Sequence, residues 1–167
     1  MSPRADRTGG RLPVDPDTAV RAGSASGWHR ADWVLAVVVG FGGAVGALAR
    51  YAVLWVMPTV TGAFPWGTFT INLSGSAVLG FLLVMVTEAF PRGRLARPLI
   101  GTGVIGAYTT FSTFCVEAVQ LFRAGAPAVA GAYLAGSLAG GLGAAWLAMG
   151  VARIALRAER WLQEELE

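Results

Sequence analysis

The sequence predicts an all-α integral membrane protein with four transmembrane helices per chain and a break in the third. Three observations carry that prediction. The 167 residues are 54% hydrophobic and only 14% charged, a balance unlike an ordinary soluble domain. The charges are also segregated: residues 51–87, 98–116 and 124–152 contain none. Such runs approach or exceed the roughly 20 apolar residues that span a bilayer. Finally, the stretch from Gly106 to Glu117 places glycine, hydroxyls, paired phenylalanines and one acid where a lipid-facing helix would carry leucines. Polar, irregular sequence at membrane depth is tolerated where protein or a water-filled path surrounds it.

Residues 1–30 are rich in arginine, glycine, proline, serine and aspartate and read as a disordered polar tail. They lack the apolar core and cleavage pattern of a secretory signal. The four-helix transmembrane body covers 31–152, and 153–167 form a short charged C-terminal end. Within the body, helix one runs from about Asp32 to Trp55 and is dense in valine, alanine and glycine. Pro58 and Gly62 mark a turn, and helix two covers roughly Trp66 to Phe90. A basic loop follows, with Arg92, Arg94 and Arg97. Helix three spans about Pro98 to Phe122, broken near Gly106 to Thr110. A turn at Arg123 to Pro127 leads to helix four, about Ala128 to Val151. Trp33, Trp55, Trp66 and Trp146 lie near helix ends, as interfacial anchors do.

An even number of spans puts both termini on one side. Every basic residue is arginine, and near-helix arginines concentrate on the side of the termini and second loop, with Arg123 alone opposite. The bias predicts a multi-pass plasma membrane protein with both termini in the cytoplasm. The formal charge of +3 is explained by membrane-surface contact, so no nucleic-acid role is expected. One cysteine and one histidine, His29 in the tail, leave no disulfide, no cysteine–histidine metal pattern and no familiar catalytic constellation. An enzyme is not expected.

Gly42 with Gly46 and Gly136 with Gly140 have the spacing that lets membrane helices approach closely. Four thin helices enclose no wide pore alone, so a dimer or larger assembly is expected. On helix two, Thr68, Thr70, Asn72, Ser74 and Ser76 form a polar series. Asn72 is the costly member; it either bridges helices or lines an ion route. Phe111 and Phe114 share a helical face beside Thr109, Thr110, Ser112 and Thr113. Aromatic rings have positive edges, so rings presented edge-on suit a small hard anion in a narrow path. The break offers two readings: Gly106 and Thr109 give freed carbonyls to Na⁺ on a symmetry axis, or the kink is satisfied internally. Glu117 either lines a vestibule or pairs with Arg123. Arg50 is either structural or attracts anions at an entrance.

These residues also carry a resemblance. The segments Gly42-Gly43-Ala44-Val45-Gly46 with Arg50-Tyr51, Gly67-Thr68 through Asn72 to Gly75, and Gly106 through Thr109-Thr110-Phe111-Ser112-Thr113-Phe114 resemble the CrcB/Fluc fluoride channels, over about residues 33–150. The resemblance implies passive fluoride export through an antiparallel, dual-topology dimer with two pathways and a central structural Na⁺. It implies that Phe111 and Phe114 are pore phenylalanines, Asn72 a pore asparagine, and Gly106 and Thr109 the carbonyl donors to Na⁺. Tyr133 and Ser137 look like members of a polar track. Gly141 stands where the family often has a further hydroxyl, which Thr68 and Thr113 partly replace. Balanced charge suits dual insertion, and the arginine bias here departs from it. A homodimer is therefore the first expectation and a heterodimer with an oppositely oriented relative the second. The competing readings are a small cation or multidrug exporter using a membrane acid for coupling, and a non-conducting scaffold.

Overall fold

The computed structural model describes residues 30–89, 95 and 97–164 of a single chain. The tail 1–29 with His29, and Arg92 and Arg94 of the basic loop, lie outside the described residues. Four stretches are long and apolar enough to cross a membrane: Asp32–Val56, Trp66–Ala89, Arg97–Arg123 and Pro127–Glu159.

Helix α1 (Arg30–Val56) is a single run of 27 residues. Helix α2 (Trp66–Val84) starts directly after Pro65 and continues as a π-helical turn, Met85–Ala89. A proline there loses nothing, because the first helical N–H groups have no intrahelical partner. The third span opens as a π-helical segment, Arg97–Ile105, and passes into the short α3 (Gly106–Tyr108). The chain is then extended at Thr109 (ψ 158°) and Thr110 (φ −147°), and α4 (Phe111–Arg123) resumes. The break expected between Gly106 and Thr110 is therefore real and centred on two threonines.

The end of α4 is set locally. Gly125 adopts φ +72°, its N–H bonds Phe122 O at 3.1 Å, and Ala126 N–H bonds Leu121 O at 3.0 Å. That paired closure around a left-handed glycine satisfies the last carbonyls of a helix. It reverses the chain into α5 (Pro127–Glu164), again with proline first.

Helix α5 differs from the sequence expectation in length. It runs unbroken for 38 residues, to Glu164 rather than Val151. Ala152 to Glu164 consists largely of good helix formers, and Ala152 and Leu156 pack against Val84 of α2. At 1.5 Å per residue α5 extends about 57 Å, well beyond a hydrocarbon core of about 30 Å.

Two helix contacts position the site. The glycines of α1 meet the third span: a side chain on Gly42 would lie 2.5 Å from the Leu99 carbonyl oxygen, and one on Gly46 would overlap the Val104 carbonyl. Helices α2 and α5 close on each other in the same manner, since a Cβ on Gly80 would come within 2.5 Å of the Ala145 carbonyl. Gly140 faces Leu73 and Gly136 faces the Phe69 ring. Where lipid supplies no hydrophobic drive, this close backbone approach supplies the packing. The buried core is correspondingly small and centres on Tyr133, Ala118, Leu121 and Ala130, flanked by Phe64, Phe69 and Phe114. Many large apolar side chains point outward, including Phe41, Trp55 and Leu142.

Candidate functional site

The break leaves backbone groups of Thr109 and Thr110 without helical partners, and the chain recaptures them with side chains. Asn72 of α2 faces Thr110 across the interhelical gap. Its Nδ2 donates to Thr110 O at 3.0 Å, and its Oδ1 accepts from Thr110 N–H at 2.9 Å. One amide thus satisfies both main-chain groups of one residue, a task that suits a carboxamide because it carries a donor and an acceptor side by side. Thr110 is in turn the N-cap of α4. Its Oγ1 accepts from Thr113 N–H at 3.2 Å and donates to Thr113 Oγ1 at 3.0 Å. A threonine at that position holds one of the free N–H groups at a helix start.

Thr109 is held from the other side. Its N–H and hydroxyl both donate to Ile105 O, and its carbonyl accepts from Arg50 Nη1 of α1 at 3.4 Å. Tyr108, next to the break, reaches Ser74 of α2. The Ser74 proton goes to Thr70 O at 2.7 Å, so the Tyr108 hydroxyl donates to Ser74 Oγ at 3.0 Å.

These contacts correct the expectation of a structural Na⁺ held by Gly106 and Thr109. The Thr109 carbonyl faces a guanidinium, whose fixed positive charge opposes a cation at the same oxygen. Gly106 lies within helical backbone, ahead of the extended residues. Among the described residues, no group of three or more His, Cys, Asp or Glu side chains is placed to hold a metal ion.

Beyond the break, α4 presents the aromatic pair. Phe111 and Phe114 lie with ring centroids 6.0 Å apart and planes inclined by 31°. Phe111 is 77% exposed, and Phe114 leans on Tyr133 with centroids 5.0 Å apart. A groove of about 350 Å³ opens beside them, where Asn72, Thr109, Thr110 and Ser137 line the walls together with both rings. Ser137 Oγ is buried and has no hydrogen-bond partner among the described residues.

The remaining predicted residues do not line this groove, although several touch residues that do. Tyr133 is fully buried and donates to Glu117 Oε2 at 2.8 Å. The other carboxyl oxygen of Glu117 accepts from Thr59 Oγ1 at 2.9 Å, so its partners are Thr59 and Tyr133 rather than Arg123. Glu117 borders a separate recess of about 470 Å³ with Thr59, Gln120 and Arg123. Thr68 is fully buried beside the Tyr133 phenol, and its Oγ1 makes no hydrogen bond among the described residues. Thr113 is occupied in the cap of α4, and Arg50 in holding Thr109. Glu88, at the far end of α2, pairs with Arg153 at 3.2 Å.

Sequence reasoning gave Thr59, Ser74, Tyr108 and Thr110 no individual role. Only Thr110 had a readable signal, a threonine immediately ahead of a helical run. The others act through partners 34 to 58 positions away, which local spacing does not reveal.

The family model for "CrcB-like protein, Camphor Resistance (CrcB)" matches residues 37–149. That interval contains the second and third spans whole, most of the first and fourth, and every residue of the groove. The chain belongs to the CrcB/FluC family. Its CrcB relatives include fluoride-specific ion channel FluC 1 of Streptomyces coelicolor, 44% identical over 161 residues, covering 96% of this chain and 97% of the relative. FluC 2 of Streptomyces avermitilis is 46% identical over 126 residues, 74% of this chain and 79% of its own length. FluC of Acidobacterium capsulatum is 44% identical over 112 residues, 66% and 90% of the two chains. The CrcB/FluC relatives are named as ion channels, not as enzymes. The chain is accordingly a multi-pass membrane protein of a fluoride-channel family.

Proposed function

We propose that this protein is a passive, fluoride-selective channel that exports fluoride from the cytoplasm, and that the groove beside Phe111 and Phe114 is half of its pathway. One observation carries the reading: both phenylalanine rings, Asn72 and the Ser137 hydroxyl, which is buried and unpartnered among the described residues, line one groove in a chain of this family. Fluoride is small and strongly hydrated, so a path that strips its water must replace it with donors and positive ring edges. The groove has hydroxyl and ring partners and no carboxylate. Asn72 acts there chiefly as a brace that fixes the geometry of Thr110 and therefore of Phe111.

The assembly proposed is an antiparallel dimer with two pathways. The outward-facing apolar side chains Phe41, Leu48 and Trp55 of α1 give it a surface to bury, and the groove, open in one chain, gains a second wall. A homodimer is the primary form. The arginine bias, which favours both termini in the cytoplasm, supports a heterodimer with an oppositely oriented relative as the second form. A coupled cation or drug exporter is disfavoured, because both embedded or near-membrane acids are engaged, Glu88 by Arg153 and Glu117 by Thr59 and Tyr133.

The test is fluoride efflux from liposomes containing the purified chain, read with a fluoride electrode beside a chloride control. Rapid fluoride loss with chloride retained is expected. Folded, inserted protein that passes no fluoride, alone or with an oppositely oriented relative, would reject the channel reading.

A further inference from the structure

Hydroxyls within an apolar helix commonly bond back to a carbonyl one turn earlier. Ser74, Thr87 and Thr109 do so here, at 2.7, 2.7 and 2.9 Å to Thr70, Leu83 and Ile105. Ser76 and Ser137 do not. Ser137 Oγ is buried and unpartnered, and half-buried Ser76 makes no hydrogen bond among the described residues. An apolar setting penalises a hydroxyl left in this state.

Their position gives the free hydroxyls a common use. Both line the groove beside Phe111 and Phe114, and both also line a second recess of about 360 Å³ along the same α2–α5 cleft. Leu79 and Leu138 are shared as well, so the two recesses join at these serines. Asn72, Ser76 and Gly80 follow one another at four-residue spacing and occupy one face of α2. The second recess is otherwise apolar, walled by Leu83, Leu142, Ala145 and Met149 with Gly80 and Gly141. At Gly80 the two helices close to backbone contact. Opposite Ser76, a Cβ on Gly141 would lie 3.4 Å from Ser76 Oγ, so glycine leaves that hydroxyl uncovered.

We infer that Ser76 and Ser137 form a two-hydroxyl anion station where the two recesses join, each donating its O–H to the same small monovalent anion. Neither recess contains an arginine, so the station holds an anion by hydrogen bonds alone and releases it readily. The inference rests on the fluoride-channel reading and assigns Ser76 as a further pore-lining residue.

The experiment compares fluoride efflux from liposomes holding the wild-type chain, Ser76→Ala and Ser76→Cys, each scaled to inserted protein and checked for a wild-type elution profile. Cysteine fills nearly the same space but is a weak donor. Losing one hydrogen bond to an anion should slow efflux roughly ten-fold in both variants. Should alanine prevent folding, the cysteine variant decides alone. Wild-type efflux in Ser76→Cys would overturn the station, because space rather than the donor would then matter. A wild-type chain that passes no fluoride would overturn the channel reading and the station with it, whereas active wild type with both variants unchanged overturns the station only.

Discussion

The break in the third span and the α2–α5 cleft lie side by side, share Asn72 and Thr110, and treat polar groups in opposite ways. At the break the groups freed by unwinding are recaptured: Thr110 by Asn72, the Thr109 carbonyl by Arg50, the start of α4 by the Thr110 hydroxyl. In the cleft, Ser137 and Ser76 have no hydrogen-bond partner among the described residues. Unpaired polar groups in an apolar medium are costly, so the first arrangement preserves shape, while the second fits the proposal that these donors serve a solute. Substitutions at the break should therefore lower stability, and substitutions in the cleft should lower flux at unchanged stability.

The largest effect is expected on the scaffold that carries the break. Gly46→Leu drives a side chain into the Val104 carbonyl, which is backbone and cannot yield as a flexible side chain does. Destabilisation of at least about 3 kcal/mol is expected, read as loss of the monodisperse peak on size-exclusion chromatography. Asn72→Leu comes next. It keeps the volume but strands the N–H and the carbonyl of Thr110, at about 1–3 kcal/mol for each group. Its melting temperature in detergent should fall before any flux is measured. An unchanged melting temperature with altered flux would move Asn72 from the brace to the pathway and blur the distinction between the two regions.

Cleft variants sharpen it from the other side. Ser137→Ala removes a hydroxyl that has no hydrogen-bond partner among the described residues, so its melting temperature should hold or rise slightly while fluoride efflux falls several-fold. The smallest effect belongs to the exposed end of the molecule. Arg153→Gln breaks the pair with Glu88, in which both side chains are more than a third exposed. Less than about 1 kcal/mol is expected, shrinking further with added salt.

Much of this was legible in the residues themselves. The charge-free runs located the second, third and fourth spans, the valine-, alanine- and glycine-dense stretch ahead of Arg50 located the first, and the threonine- and glycine-rich stretch located the break. The small-residue spacing of Gly42 and Gly46 anticipated close packing, though not that the third span was the partner. The aromatic pair at three-residue spacing pointed to one face of α4, and that face does border the groove. What failed was the inference from a break to a cation site. Of the two readings of the break, Na⁺ held by freed carbonyls and a kink satisfied internally, the second is what the structure has, with recapturing groups from Asn72 and Arg50, 38 and 59 positions away in sequence. Local pattern carries no information about such partners. Similarly, the polar series on α2 looked uniform, yet Ser74 bonds its own helix, Asn72 braces another, Thr68 packs beside the Tyr133 phenol, and Ser76 has no hydrogen bond among the described residues. Their differing angular positions around the helix decide this, and only the packing reveals which neighbour each one meets.

The central claim is that the aromatic cleft conducts fluoride while the neighbouring break only holds its shape. Its most direct test measures fluoride and chloride efflux for the wild type and Phe111→Ala in matched liposomes, with melting temperatures taken on the same preparations. Phe111 is exposed in the chain and borders the groove, so its loss should leave melting nearly unchanged. Fluoride-selective efflux in the wild type and a roughly five-fold or greater fall in the variant, a ring-edge contact being worth about 1 kcal/mol, is the predicted result. Equal fluoride efflux from both proteins would contradict the account.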